Sequence, residues 1–144
     1  PLIHLDKYYW KANWVEPSKE DWSNTVNKLI IRDKWIMDGN YGGTLDLRME
    51  AADSIIFLDF PGWLCLYRVI KRTIKYYGMA RPDMAAGCNE RLSLKFYHYV
   101  LFYNFTRRNA ILKKLSMFKG TKEVIILKGR SEVQNFVSKI RTSN

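Results

Sequence analysis

Trp35-Ile-Met-Asp-Gly-Asn-Tyr-Gly-Gly-Thr44 is the stretch on which the fold turns. Its apolar start is too short for a helix and runs into a glycine-rich turn, so it reads as a short buried strand. The strand ends at Asp38. In open α/β sheets ligands bind outside the carboxyl ends of the strands, and an acid at that edge can hold Mg2+ and its waters against a phosphate. An acid before a glycine also caps the turn that follows, and both roles stand open for Asp38. A phosphate-handling α/β domain normally carries a Gly-rich loop ending in Gly-Lys-Ser/Thr, a pattern absent from these 144 residues. The chain opens at Pro1 in an apolar, strand-like run, which we read as a domain that begins after such a loop.

Outward from this turn the pattern alternates. Residues 2–5 read as a strand ending at Asp6, and residues 7–17 as an aromatic-rich loop or small cap. Ser18 suits an N-cap, with Glu20 and Asp21 in the first turn to favour the helix dipole. Trp22, Val26, Leu29 and Ile30 then recur at helical spacing. Residues 44–50 read as a short helical segment, and residues 55–58 as a wholly apolar strand ending at Asp59, punctuated by Pro61-Gly62. Trp63, Leu66, Tyr67, Ile70, Ile74 and Tyr77 mark a helix. Residues 78–89 have no period and read as a mobile loop. A long aromatic helix is expected over 92–115, its Phe96–Phe105 run in the core, and a last strand over 124–127. Ser131 is expected to cap a final helix with Val133, Phe136, Val137 and Ile140 inward. Short apolar strands alternating with helices imply an α/β fold: a three-layer parallel sheet with helices on both faces, in one domain.

Composition narrows the class. An apolar content of 47% with 15% aromatics excludes a disordered chain. No apolar run approaches the roughly 18–20 residues that span a bilayer, and no signal peptide is visible, so the reading is cytoplasmic with no membrane partner. Cys65 and Cys88 suggest neither a disulfide framework nor a metal site. His4 and His98 read as structural, since no zinc-like spacing or catalytic triad surrounds them. A net charge of +10 favours an anionic partner, whether nucleotide, nucleic acid or acidic surface, and equally fits a solvated surface.

His4-Leu-Asp6, Asp38-Gly-Asn-Tyr41, Thr44-Leu-Asp-Leu-Arg48, Ala52-Asp53 and Ile55-Ile-Phe-Leu-Asp-Phe-Pro61 together resemble the bacterial topology modulation proteins, adenylate-kinase-like P-loop kinases. Arg81-Pro-Asp83, Gly87-Cys-Asn-Glu-Arg91 and the closing Val-Ile-Ile-Leu-Lys run are also similar, so the resemblance covers nearly the whole chain. It implies a kinase core with a five-stranded parallel sheet whose first strand and phosphate loop lie upstream of Pro1. Without that central strand, two sheet edges would be unpaired, and the chain is expected to be marginal, or to associate with copies of itself through those edges.

The resemblance also distributes roles. Asp38 would be the catalytic acid that holds Mg2+ near the phosphates. Asp6 would orient the acceptor hydroxyl or act as base, or else bind local amides. Arg68 and Arg72, one helical turn apart, match two arginines of adenylate kinase, one packed on adenine and one on phosphate; they read otherwise as a basic helix face with Lys71 and Lys75. Arg81 and Arg91 bracket a lid-like segment, 78–92, where arginines can close over a transferring phosphate. Arg48, Asn40 and Tyr41 would face the acceptor, although Arg48 could instead pair with Asp46 or Glu50. Asn40-Tyr-Gly-Gly43 stands where adenylate kinases have Phe-Pro-Arg, so an arginine that grips a nucleoside monophosphate is missing. The implied function is ATP-dependent phosphoryl transfer to a small acceptor, with ATP and Mg2+ as cofactors and with this chain alone inactive. The alternative is a basic, DNA-binding protein on a kinase-like scaffold, for which no helix-turn-helix, zinc-finger or RNA-binding signature is present.

Overall fold

The computed structural model describes residues 1–142. Their contacts separate into two compact units, residues 1–52 with 72–92, and residues 53–71 with those from 93 onward. The architecture is mixed α/β, with its strands in parallel pairs.

In the first unit, β1 (Leu2–His4) pairs in parallel with β2 (Ile36–Asp38). Parallel neighbours need a crossover, here α2 (Lys19–Ile30). Ser18 caps α2 as expected, its hydroxyl accepting the Asp21 N–H at 3.0 Å, a contact worth about 1 kcal/mol. The inward face of α2 is Trp22, Val26 and Leu29, packed on Ile3 and Leu5 to form the core, with Tyr9, Trp35, Met37 and Tyr41 against it. The expected loop after β1 contains α1 (Asp6–Tyr9) and a 3-10 turn over Ala12–Trp14. After β2 a 3-10 turn, Gly42–Thr44, leads into α3 (Leu45–Ala51).

In the second unit, β3 (Ser54–Leu58) pairs in parallel with β4 (Glu123–Leu127), from Ser54 opposite Glu123 to Leu58 opposite Leu127. α4 (Gly62–Tyr76) follows β3; residues 62–71 belong to this unit and 72–76 to the first. Gly62 is required by space: a Cβ there would stand 2.3 Å from the Leu101 carbonyl oxygen. Where one long helix is expected, there are two, α5 (Leu94–Thr106) and α6 (Arg108–Phe118), broken at Arg107 (φ −121°, ψ −31°). The break starts α6 at Arg108, whose guanidinium makes a bidentate pair with buried Asp59, both bonds 2.7 Å.

Three further expectations change. The Phe96–Phe105 run is not core: Phe96, Tyr99, Phe102 and Phe105 are all exposed, because α5 is apolar around its circumference and no single face can be buried entirely. Along α4, Trp63, Tyr67, Ile70 and Ile74 are likewise exposed. The final helix, α7 (Arg130–Thr142), begins one residue before Ser131. Its first turn is closed by the Glu132 carboxylate, which accepts the Lys128 N–H at 2.7 Å; Val137 and Ile140 point out to solvent.

Each ladder is two-stranded, β1 with β2 and β3 with β4. The expected parallel pairing is therefore present in pairs.

Candidate functional site

The carboxyl edge of the β1–β2 ladder is assembled by register. His4 lies opposite Asp38, and the Leu5 N–H continues the ladder by donating to the Asp38 carbonyl at 3.1 Å. Asp38 thus ends β2 at this edge, while Asp6, expected to end the first strand, instead opens α1 two residues beyond His4. The Asp38 carboxylate is exposed and contacts His4 Nδ1 at 2.9 and 3.1 Å. His4, expected to be merely structural, is thus the group that orients Asp38.

The turn after Asp38 is shaped by Gly39 and Arg48. Gly39 sits at φ +128°, and a Cβ there would come within 2.9 Å of the Leu5 Cβ, so glycine is needed for conformation and for space. Buried Arg48 donates from Nη1 to the Gly39 carbonyl and from Nη2 to the Tyr41 carbonyl, both at 2.9 Å, and from Nε to the Thr44 carbonyl at 3.3 Å. Burial pushes the guanidinium down to about 10, and it stays charged at neutral pH. Arg48 therefore braces the turn carrying Asn40 and Tyr41.

Tyr41 packs on Tyr9 and Trp22 and donates its hydroxyl to Asp6 Oδ1 at 2.5 Å. Burial, then the adjoining Asp6 carboxylate, raise its phenol far above the ordinary range, so it remains a neutral donor. From Asp6 the polar chain continues inward. Arg81 Nη2 lies 3.8 Å from Asp6 Oδ2, and its Nη1 donates to Asp83 Oδ2 at 2.9 Å. Its Nε stands 2.7 Å from Glu90 Oε2, an ion-pair distance at an angle that makes no hydrogen bond. Arg81 and Glu90 are both almost wholly buried. Glu90 also accepts from the buried Thr73 hydroxyl at 3.0 Å, with Arg72 Nε 3.9 Å away. Burial, then the like charge of Arg81, lower the Arg72 guanidinium.

The lid-like segment 78–92, of which 78–89 reads as a mobile loop in the sequence, is tied down. Gly78 N–H donates to the Glu90 carbonyl and Glu90 N–H to the Met79 carbonyl, at 3.0 and 2.9 Å. The segment also grips the turn after α1. Asn13 N–H donates to the Gly87 carbonyl at 3.0 Å, Trp14 Nε1 to the Asn89 carbonyl at 3.0 Å, and Cys88 Sγ to the Lys11 carbonyl at 3.1 Å. Asn13 and Trp14 both hold φ +62°, a left-handed conformation costing side-chain-bearing residues on the order of 1 kcal/mol each. Where the two segments meet lies an open cleft of 380 Å3, walled by Trp14, Tyr77 and Arg91 among others. Arg91 holds its guanidinium over the Trp14 ring, 5.3 Å from the centroid.

The expected site residues therefore divide. Asp6, Asp38, Asn40, Tyr41, Arg48, Arg72, Arg81 and Arg91 all belong to the first unit, whereas Arg68 belongs to the second, where it stacks on Phe60 at 4.8 Å. Arg72, one helical turn beyond Arg68, turns to Glu90 instead. Sequence reasoning missed Glu90, Thr73, Asp83 and the Asp59–Arg108 pair. A usable signal existed for two of them: Asp59 ends an apolar strand just as Asp38 does, and Glu90 lies within the Gly87–Arg91 motif beside the arginine that was chosen. Among the described residues no group of three or more His, Cys, Asp or Glu side chains is gathered to hold a metal. No helix among them is long and apolar enough to cross a membrane. Comparison with protein-family models, curated proteins and solved structures finds no match to this chain.

Proposed function

We propose that this chain carries the acceptor-side half of an ATP-dependent phosphotransferase built on a kinase-like, three-layer α/β fold and working in the cytoplasm. The observation that carries the reading is the pair of carboxylates, Asp6 and Asp38, at one carboxyl edge of a parallel ladder. Among the described residues no protein cage for a cation is gathered, but Mg2+ on a phosphate needs only one or two carboxylates, since waters and phosphate oxygens complete its shell. Exposed Asp38, oriented by His4, fits that donor set. When bound, Mg2+ supplies charge neutralisation for the transferring group.

The chain's own residues do the rest. Asp6 orients the acceptor hydroxyl and takes its proton, while neutral Tyr41 holds the carboxylate in place. Asn40 and the Arg48-braced turn shape the acceptor side. Arg91 is exposed and meets phosphate, while Arg72 is held towards Glu90. Arg81 anchors the segment bearing Arg91, since its donors face Asp6, Asp83 and Glu90. The reading requires a phosphate cradle from residues outside the 144, which lack the Gly-rich loop.

The test is thermal unfolding of the chain joined to such a loop, with and without Mg-ATP. At ligand about 100 times Kd the expected gain is about 2.7 kcal/mol, lost in Asp38→Asn and unaffected by moderate salt. No gain from Mg-ATP overturns the reading. The net charge of +10 favours one alternative, a DNA-binding protein. A gain from short DNA alone, fading as salt rises, would install it instead.

A further inference from the structure

Charge is divided unequally between the two units. The first carries eleven Lys and Arg against ten Asp and Glu, the second thirteen against four, so nearly all of the net charge of +10 lies on the second. Asp59, one of those four acids, is already paired with Arg108. No Asp or Glu occurs between Glu90 and Glu123, the stretch that forms α5 and α6. On this basic ground α5 raises a largely apolar ridge. Leu94, His98, Phe102 and Phe105 stand at i, i+4, i+8 and i+11, one face of the helix. All four are exposed, Leu94 at 84% and Phe105 at 83%. The rings of His98, Phe102 and Phe105 follow one another, with centroids 4.5 and 6.3 Å apart. Lys95 near the start of α5 and Arg107 just past its end are exposed beside the ridge. Exposed Trp63 adds to it from α4, next to Gly62, where α4 meets the Leu101 carbonyl one turn before Phe105. An apolar ridge flanked by cations and free of acids fits an anionic bilayer surface, where aromatic and aliphatic side chains sink to the headgroup boundary and Lys and Arg meet lipid phosphates. A second copy would bring two basic faces together, which charge opposes. Nucleic acid would answer the charge but leave aliphatic Leu94 without a use, since it has no ring on which a base can stack.

We propose that the second unit docks on an anionic membrane surface, with α5 lying flat in the interface, Leu94, Phe102 and Phe105 among the headgroups, and Lys95 and Arg107 on lipid phosphates. The expectation of no membrane partner concerned segments long enough to cross a bilayer; a helix of 13 residues, about 20 Å long, lies on one without crossing it. The proposal goes beyond the phosphotransfer reading and uses none of its residues, so either can fail alone. The test is co-sedimentation of the full chain with vesicles of phosphatidylcholine, with and without phosphatidylglycerol, beside the chain spun by itself. The chain pellets with the anionic vesicles, stays in solution with phosphatidylcholine or alone, and is released as salt rises. Phe105→Ala, at an exposed helical position that leaves the fold intact, weakens binding about tenfold, the scale of one buried aromatic side chain. Lys95→Gln weakens it about fivefold, as one cation near an anionic surface does. Lys28→Gln, at an exposed position on α2 in the first unit, removes the same charge and leaves binding unchanged. The proposal is overturned if anionic vesicles do not carry the chain down, if Phe105→Ala binds like the parent, or if Lys28→Gln weakens binding as much as Lys95→Gln. Pelleting that needs no vesicles would assign the ridge to a second copy and overturn it too. So would binding of short single-stranded DNA that is lost in Phe105→Ala while vesicles fail to bind, which would assign the ridge to nucleic acid.

Discussion

Arg48 and Tyr41 show what single side chains do for this site. Arg48 spends its three nitrogens on backbone carbonyls, so a charge that looks available for substrate is consumed in shaping the Asp38–Thr44 turn. Tyr41 spends its hydroxyl on Asp6. A phenol whose pKa is raised by folding keeps its proton where the unfolded chain has lost it. Below pH about 10 both states are protonated and this group contributes no pH dependence; above it the folded state binds more protons, and stability falls as pH rises. Tyr9 and Tyr99 shift in the same direction and add to the effect. Tyr41→Phe should cost about 1–2 kcal/mol at neutral pH, the worth of a hydrogen bond to a charged acceptor, and should flatten the alkaline slope. Urea midpoints at about pH 8 and about pH 11 check both statements; an unchanged slope in the variant would assign the alkaline loss to other groups.

At the scale of elements, local signals and distant contacts part company. The Ser18 cap, the α2 face and the four strand positions were legible because each depends on residues within a turn or two of one another. The break between α5 and α6 was not. It lies where Arg108 meets Asp59, 49 positions away in sequence, and no periodicity reports that. The same holds for Gly62, which reads as part of a Pro-Gly break after the strand but is required by the close approach of the Leu101 carbonyl. Gly62→Ala should therefore destabilise the second unit by about 2 kcal/mol or more, as overpacking does, against the small gain that Ala normally brings to a helix. A stabilised or unchanged midpoint in chemical unfolding would mean that α4 and α5 slide apart at little cost.

At the scale of the whole molecule, each ladder among the described residues has two strands, and isolated two-stranded sheets are marginal in water. Ile36 on β2, Ile56 and Leu58 on β3, and Trp63 and Tyr67 on α4 are all more than 45% exposed. Such apolar surface beside free strand edges favours self-association, while the net charge of +10 opposes it. The chain should accordingly show a weight-average mass that climbs with concentration in sedimentation equilibrium, and climbs more steeply at about 0.5 M salt, where repulsion is screened. A single monomer mass under both conditions would show that the exposed strands are tolerated as they are. The sequence by itself determined the α/β class, the parallel strand segments, the helix cap at Ser18 and the acid that ends β2, because periodicity, capping and turn chemistry act over a few residues. Only the tertiary structure decided that Arg81 would be enclosed by Asp6, Asp83 and Glu90, that segment 78–92 would be pinned beside Trp14, and that the aromatic faces of α4 and α5 would stay open. The partner of a charge and the cover of an apolar face come from residues far along the chain, and helical spacing says which side chains share a face without saying what lies opposite it.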